Sequence, residues 1–284
     1  ALCWLCLFFA KVFSQWYLAV LQVKLWVMRR FISCLRLFRI HSFPESQTFQ
    51  PVAQFLFAIA KSVDRKIDCR LKRIADKYIN CSTSEVYSMN SWNEDGGVKE
   101  SDFITMAHAE HSQRTSYATG KLLTEFFMRD AVDNGKIKGC SIRFANVYSK
   151  DEKYPKHIIP HIIDNFKNKG EVILLENSRK NRRTFLNNYD SCSAVLELAK
   201  TDSALDGTVY NVATDEEISI IDLTKLIAKK MGIDEPVIKF EGYRESDPER
   251  RLLSTEKIRT RTDWKPIVDL DKGLSECVEF YTND

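Results

Sequence analysis

Glycine is absent from the first 95 residues of the chain, and all ten glycines lie from Gly96 onward. Glycine lets a backbone turn sharply and approach a bound phosphate closely, usually at the start of a helix. The sequence therefore excludes a glycine-rich phosphate-binding turn anywhere between residues 1 and 95.

Signatures of disulfide and metal sites are missing as well. The spacing of the eight cysteines is irregular, at positions 3, 6, 34, 69, 81, 140, 192 and 277. This pattern does not fit a disulfide framework and predicts free thiols in a reducing compartment such as the cytoplasm. Cys3 and Cys6 form a CxxC pair without a second pair or a nearby histidine, so we expect no zinc site there and no metal site elsewhere.

Long uncharged apolar runs are also missing from residues 1–40, although this region is apolar and aromatic. The run from Val12 to Val23 is bracketed by Lys11 and Lys24 and is too short to cross a bilayer. Two interpretations stay open for this region. One is a signal anchor, and the other is an amphipathic helix that lies on a membrane or on a partner protein.

Charge is distributed unevenly along the chain. Residues 1–75 hold 12 Lys and Arg against 3 Asp and Glu, whereas the remainder holds 30 against 36. The basic residues between Lys61 and Arg73 have no interleaved aromatic residues, so we expect a solvated helix face and no nucleic-acid partner. We predict three parts: an atypical region 1–75, a catalytic part 76–165 and a substrate-binding part 166–284.

The stretch from Ser82 to Lys121 carries the chemistry. An apolar-rich run from Tyr78 to Cys81 predicts a strand, so Thr83 and Glu85 should follow its carboxyl end, where ligands bind in open α/β sheets. Tyr117 and Lys121 are four residues apart and share one helix face. A nearby ammonium group lowers the pKa of a phenol, which could then take a proton from an alcohol while hydride leaves the carbon.

These residues resemble the extended short-chain dehydrogenase/reductase family in its nucleotide-sugar epimerase/dehydratase branch. The resemblance runs from about Tyr78 to Tyr281, and Thr83, Tyr117 and Lys121 match the Ser/Thr-Tyr-Lys catalytic set. It implies an α/β fold with a Rossmann-type parallel sheet and a smaller mixed C-terminal part. It also implies an NAD cofactor that contacts the same tyrosine and lysine. The family's GxxGxxG pattern has no counterpart in this chain.

Three further segments match the family and imply a nucleotide-diphosphate sugar as the substrate. The run Arg143-Phe144-Ala145-Asn146 resembles Arg-x-x-Asn, which places Asn146 on the substrate. The resemblance also assigns Ser84, beside the catalytic Thr83, to substrate binding. Arg183-Thr184-Phe185 resembles Arg-x-Phe, and Asp247-Pro248-Glu249-Arg250-Arg251 resembles the C-terminal substrate segment. By this resemblance Arg183 and Arg251 bind the diphosphate, with Arg250 as the alternative. The resemblance also implies a homodimer.

The resemblance leaves the reaction open between three related activities. Glu85 stands where the 4,6-dehydratases carry the base that removes the proton of carbon 5. Ser84 stands where the glucose-type dehydratases carry an aspartate. A 4,6-dehydratase is our first interpretation, and a UDP-glucuronate decarboxylase or a carbon 4 epimerase is the alternative.

An interpretation from a different class concerns the missing glycines. Residues 1–75 could be a truncated or mis-framed replacement of the family's first strands, which would explain their composition. The chain would then be a non-catalytic remnant that binds a partner or a membrane. Bound nucleotide in the purified protein distinguishes this hypothesis from the enzymatic one.

Overall fold

The computed structural model describes residues 76–88, 96–106, 113–152 and 154–283. The predictions made for residues 1–75 lie outside these described residues.

A parallel sheet of three strands carries the segment that the sequence singles out. Its order is β1 (Lys77–Thr83), β2 (Lys138–Phe144) and β6 (Asp206–Val212). Thr83 lies beside Phe144, which in turn lies beside Val212, so the three strands end at one edge. The parallel arrangement with flanking helices confirms the predicted α/β fold class.

Helix α1 (Gln113–Asp133) follows β1 in the chain and packs against β1 and β6. It buries Ala118, Glu125 and Met128 toward the sheet. A glycine after the last helical turn is a common end signal, so Asn134-Gly135 predicts the end of this helix, and the end at Asp133 confirms it. The backbone there turns with Gly135 at a φ of 62°, a left-handed conformation that favours glycine.

A second sheet contains β3 (Asn146–Tyr148), β5 (Arg182–Asn187), β7 (Glu217–Ser219) and β9 (Arg250–Arg251). Strands β3 and β9 run parallel to β5, and β7 runs antiparallel to it. The composition of the run from Gly139 to Tyr148 predicts one continuous strand, and this prediction is wrong. The Ala145 amide still donates to the Val212 carbonyl at 3.0 Å, but Asn146 then pairs with β5, so β2 and β3 belong to different sheets.

The start of helix α3 (Asn188–Lys200) gives a second correction. Asparagine is disfavoured in strands, so Asn187-Asn188 predicts a weakened strand end, yet β5 extends to Asn187. The Asn187 side chain accepts a hydrogen bond from the Tyr189 amide at 2.9 Å and thereby caps α3. Asparagine is well suited to this position because its side-chain oxygen satisfies an unpaired amide of the first helical turn.

A separate apolar core lies among α2 (Ile158–Lys169), α4 (Ile220–Lys230) and α6 (Leu270–Asn283). The two-stranded parallel sheet β4 (Glu171–Leu174) and β8 (Val237–Phe240) contributes to it, and the short helix α5 (Glu256–Arg261) packs against β6. Ser219, with Asp222 three residues later, predicts a cap for α4. The prediction is confirmed, since the Ser219 hydroxyl accepts a hydrogen bond from the Asp222 amide at 3.0 Å.

The first sheet contains strands from both sides of the predicted division between residues 165 and 166. Strand β6 comes from the C-terminal side of that division but completes the first sheet beside β2. The carboxyl edge of the first sheet is therefore formed by residues from both sides of this division. The division itself stays a prediction about function.

Candidate active site

Thr83 is the last residue of β1 and caps the 3₁₀ turn Ser84–Tyr87 that follows it. Its hydroxyl accepts a hydrogen bond from the Glu85 amide at 3.2 Å. Thr83 and Ser84 are buried, and the Glu85 side chain is 18% exposed. The strand end therefore presents a hydroxyl and a carboxylate on a turn whose backbone is fixed by the threonine itself.

Helix α1 brings Tyr117 and Lys121 to this strand end. The Lys121 ammonium donates to the Cys81 carbonyl of β1 at 2.7 Å, and its nitrogen lies 5.9 Å from the centre of the Tyr117 ring. Tyr117 is 52% exposed, so its ring is accessible to a ligand. The ammonium is thus anchored to β1 two residues before Thr83 and lies near the phenol.

A chain of four charged side chains links Glu85 to the C-terminal segment. Both terminal nitrogens of Arg251 pair with the Glu85 carboxylate, Nη2 with Oε2 at 3.1 Å. The same nitrogen lies 3.5 Å from Asp247 Oδ1, and Asp247 Oδ1 lies 3.1 Å from Arg183 Nη2. Both arginines and Asp247 are buried. Two positive and two negative charges alternate, so each charge has an opposite neighbour.

The two arginines predicted to bind a diphosphate differ in their partners. Arg183 Nη1 also donates to the carbonyls of Arg182 at 2.8 Å and Glu249 at 3.1 Å, which ties the segment around Asp247 to β5. Arg251 Nε is buried and has no hydrogen-bond partner among the described residues. Arg251 therefore offers a buried donor to a ligand, whereas Arg183 is engaged with protein acceptors.

The other predicted substrate residues take different positions. The Asn146 amide group donates to the Thr184 carbonyl at 3.2 Å and joins β3 to β5. Arg250, the alternative to Arg251, donates to Glu217 Oε1 at 2.8 Å on β7. The structure thus brings Arg251, and not Arg250, to Glu85. The functional roles of these residues stay predictions.

Behind the site lies a buried ion pair that the sequence reasoning missed. Glu125 of α1 and Arg143 of β2 form two hydrogen bonds, at 3.0 and 2.6 Å, and their side chains are 3% and 5% exposed. The one sequence signal was the spacing of Glu125, which follows Tyr117 and Lys121 at intervals of four residues and so shares their helix face.

A buried carboxylate on the loop before α1 adds to this polar layer. Glu100 Oε1 accepts from the Asn211 amide at 2.7 Å, and Lys257 lies 3.9 Å from Oε2. Burial raises the pKa of Glu100 above its usual range, an effect that the Asn211 hydrogen bond partly opposes.

The described residues fit one end of a dinucleotide. Tyr117 is exposed beside the Lys121 ammonium, and the described part of the chain provides one hydrogen-bond acceptor for that ammonium, the Cys81 carbonyl. An ammonium has three N–H donors, so Lys121 can also bind a ribose hydroxyl. The other end of a dinucleotide needs donors for its pyrophosphate, and the sequence before Gly96 contains no glycine for a close-approach turn.

The described part of the chain contains neither a candidate membrane span nor a metal-binding cluster. No helix within it has the length and hydropathy needed to cross a membrane. No three histidine, cysteine, aspartate or glutamate side chains within it lie close enough together to hold a metal ion. Its four cysteines, Cys81, Cys140, Cys192 and Cys277, are free thiols.

Comparison with protein families gives one match. The model of the NAD dependent epimerase/dehydratase family matches residues 53–213, which is more than half of the 284 residues. The matched range includes β1, α1 and the residues at the carboxyl edge of the first sheet.

Curated relatives are similar at low identity. The low-salt glycan biosynthesis protein Agl12 of Haloferax volcanii is 25% identical over 218 residues, which cover 77% of this chain and 66% of that protein. The dTDP-D-glucose 4,6-dehydratase of Mus musculus is 27% identical over 212 residues, which cover 72% of this chain and 56% of that protein. The chain thus matches between about half and two thirds of the length of these relatives.

A solved structure shows the same fold. The dTDP-glucose 4,6-dehydratase DesIV from Streptomyces venezuelae, determined with NAD bound, superposes with a TM-score of 0.67 at 20% identity. The superposition covers 78% of this chain and 64% of that chain.

Proposed function

Because the chain belongs to the NAD dependent epimerase/dehydratase family, we propose that it is an NAD-dependent enzyme of the 4,6-dehydratase type that acts on a nucleotide-linked hexose. The observation that carries the proposal is the position of Lys121, which is anchored to β1 beside Thr83 and lies near the exposed ring of Tyr117. This arrangement suits the oxidation of an alcohol at carbon 4.

The first proton to be removed is that of the carbon 4 hydroxyl, and three residues take part: Tyr117, Thr83 and Lys121. The Tyr117 phenolate takes the proton of the carbon 4 hydroxyl, and the Thr83 hydroxyl forms a hydrogen bond with the same oxygen. The Lys121 ammonium lies 5.9 Å from the centre of the Tyr117 ring and also binds the ribose of the cofactor. When bound, NAD supplies a hydride acceptor that later returns the hydride.

Glu85 acts on the second proton, in the step that makes the reaction a dehydration. The proton on carbon 5 becomes acidic only after carbon 4 is a ketone, and a carboxylate positioned at the strand end can then remove it. The bond between carbon 6 and its hydroxyl breaks in the same step, and that hydroxyl leaves with one proton as water. In the structure this carboxylate is paired with Arg251. A free base is therefore available only once Arg251 has another anionic partner.

The substrate's anionic group is that other partner. We assign the diphosphate to Arg251, whose Nε is a buried donor without a protein acceptor in the described part of the chain. Arg183 contributes a second positive charge, with Asp247 between the two guanidinium groups. Ser84 and Asn146 bind the sugar. In this assignment residues 166–284 form the substrate-binding part, the enzyme is a homodimer, and it works in the cytoplasm.

A decarboxylase is the second candidate, and one observation favours it. Arg251 holds a carboxylate through two terminal nitrogens, the geometry in which arginine recognises a carboxylate most specifically. The carboxylate of a nucleotide-linked uronic acid can take the place of Glu85 in this pair. The reaction would then lose carbon dioxide after the same oxidation at carbon 4.

Product analysis tests the proposal and separates the candidates. The protein is incubated with NAD and either dTDP-glucose or UDP-glucuronate, and the sugar nucleotide is analysed by mass spectrometry, with Tyr117→Phe as the control. Loss of water from the hexose supports the dehydratase, and loss of carbon dioxide from the uronate supports the decarboxylase. A product of unchanged mass that separates from the substrate on chromatography would identify an epimerase.

Failure of the whole proposal has its own signature. A protein that retains no NAD after purification, binds none when it is added and converts neither sugar nucleotide would be a non-catalytic member of the family. Denaturation followed by absorbance and mass spectrometry of the released small molecules detects any retained cofactor.

A further inference from the structure

Glu125 belongs to the same helix face as the residues proposed to act at carbon 4. Tyr117, Lys121 and Glu125 follow each other at four-residue intervals on α1, so they form one stripe toward the sheet. Tyr117 is half exposed at the site, whereas the Glu125 carboxylate is buried. The stripe therefore runs from the ligand-accessible end of the helix into the protein interior.

The buried end of this stripe is bonded to the two strands that carry the site. The Glu125 carboxylate pairs with Arg143 of β2 through Nε at 3.0 Å and Nη2 at 2.6 Å. It also accepts a hydrogen bond from the hydroxyl of Ser82, the residue before Thr83 on β1. One carboxylate thus holds α1 to β1 and β2 at once.

Arg143 extends the connection to the turn that carries Glu85. Its Nη1 donates to the Tyr87 hydroxyl at 2.7 Å, and Tyr87 closes the 3₁₀ turn that begins at Ser84. The Tyr87 hydroxyl donates in turn to Asn211 Oδ1 on β6 at 2.9 Å. Burial raises the pKa of Tyr87 to about 12, so its hydroxyl keeps this proton at neutral pH.

We propose that Glu125 and Arg143 are positioning residues of the active site. Their ion pair fixes the separation between α1, which carries Tyr117 and Lys121, and the strand end and turn that carry Thr83 and Glu85. Neither residue touches the substrate or the cofactor, and the inference rests on the proposed function only in naming the chemistry that the two groups perform.

The competing explanation is that the ion pair only stabilises the fold. The two explanations predict different results for a variant in which both partners are replaced. Removing one partner of a buried ion pair leaves an uncompensated charge and destabilises a protein, whereas replacing both by apolar residues of similar volume is often neutral or stabilising. A double apolar variant should therefore be more stable than a variant that lacks one partner of the pair. It still lacks the bidentate ion pair and the hydrogen bonds to Ser82 and Tyr87.

The experiment compares Glu125→Gln, Tyr87→Phe and the double variant Glu125→Leu/Arg143→Met with the parent. The control is Asp133→Asn, which breaks the exposed Arg129–Asp133 pair of the same helix. Thermal unfolding measures stability, steady-state kinetics with NAD and the sugar nucleotide separates kcat from KM, and hydrogen exchange of the free protein measures the order of the 3₁₀ turn.

In the double variant we expect kcat to fall by about 100-fold, the size of effect that follows from a misplacement of about 1 Å, with KM within about threefold. Exchange of the amides between Ser84 and Tyr87 rises, while exchange in α4 stays unchanged. Tyr87→Phe gives a smaller loss of kcat in the same direction, and Asp133→Asn behaves like the parent.

The inference is wrong if the double variant, or Tyr87→Phe where the double variant does not fold, keeps the parental kcat and the parental exchange in the turn. If the parent converts no sugar nucleotide, the proposed function has failed. The exchange measurement alone then decides: unchanged protection of the turn overturns the positioning role, and lost protection upholds it.

Discussion

Removal of the Glu85 charge should strengthen, not weaken, the binding of an anion at Arg251. Arg251 is 5% exposed, and both of its terminal nitrogens pair with the Glu85 carboxylate. A ligand anion that uses these nitrogens must first displace that carboxylate. Glu85→Gln removes the competing charge but keeps the size of the side chain. Less free energy is then needed for the anion to displace this side chain from Arg251.

The magnitude follows from the hydrogen bonds involved. Hydrogen bonds to charged groups contribute about 1.5–3 kcal/mol each, which corresponds to about ten- to a hundredfold in a binding constant. A glutamine at this position keeps one carbonyl oxygen as an acceptor, so we expect the lower end of this range. The affinity for the anion should therefore rise by about tenfold in Glu85→Gln.

Isothermal titration with inorganic pyrophosphate, and separately with UDP, measures this change without any turnover. The matched control is Glu217→Gln, which removes a similarly buried carboxylate that pairs with Arg182 and Arg250 instead of Arg251. A tighter complex in Glu85→Gln alone supports the competition. Weaker binding, or a change below about twofold, would show that the anion does not use Arg251 in this way.

Two further predictions concern the cofactor and the diphosphate. Lys121→Met should lower NAD affinity and turnover together, because the ammonium binds the ribose and supports Tyr117; unchanged values in a fluorescence titration and an activity assay would remove Lys121 from the site. Arg251→Ala should raise KM by about ten- to a hundredfold without reducing NAD occupancy, through loss of a charge-assisted hydrogen bond. Arg183→Ala should chiefly lower the unfolding temperature, because Asp247 would lose a buried partner.

The local part of the fold could be predicted from the sequence. The strand ending at Thr83, the helix that carries Tyr117 and Lys121, and the cap at Ser219 follow from apolar runs, four-residue spacing and a hydroxyl before a helix. Each of these features depends on contacts within a few residues. Patterns of this kind are therefore visible without any knowledge of the tertiary structure.

The break between β2 and β3 could not be predicted in the same way. The run from Gly139 to Tyr148 has a continuous strand composition, and its division depends on which neighbouring strand pairs with each residue. Ala145 still bonds to β6, whereas Asn146 bonds to β5. The choice between two neighbours is a long-range property that hydrophobic periodicity does not encode.

The charged contacts of the site could not be predicted from the sequence for a similar reason. Glu85 and Arg251 are 166 residues apart in the chain, and no local spacing connects them. In the sequence Glu125 is a polar residue on a helix like many others, although it lies on the helix face that is directed to the interior. A buried carboxylate needs a partner, and the partner Arg143 lies on another element.

Transient formation of NADH reports directly on the oxidation of carbon 4 by this chain. In a stopped-flow experiment the parent protein with bound NAD is mixed with the sugar nucleotide that it converts, and absorbance is followed at the NADH band beside Tyr117→Phe and Glu85→Gln.

We expect a transient rise in the parent, no signal in Tyr117→Phe, and a rise that persists in Glu85→Gln. Overall turnover in Glu85→Gln should be about 10²–10⁴-fold slower because a general base has been lost. A Tyr117→Phe variant that forms NADH at the parental rate, or a parent that forms product without any NADH signal, would contradict the claim that this chain oxidises carbon 4.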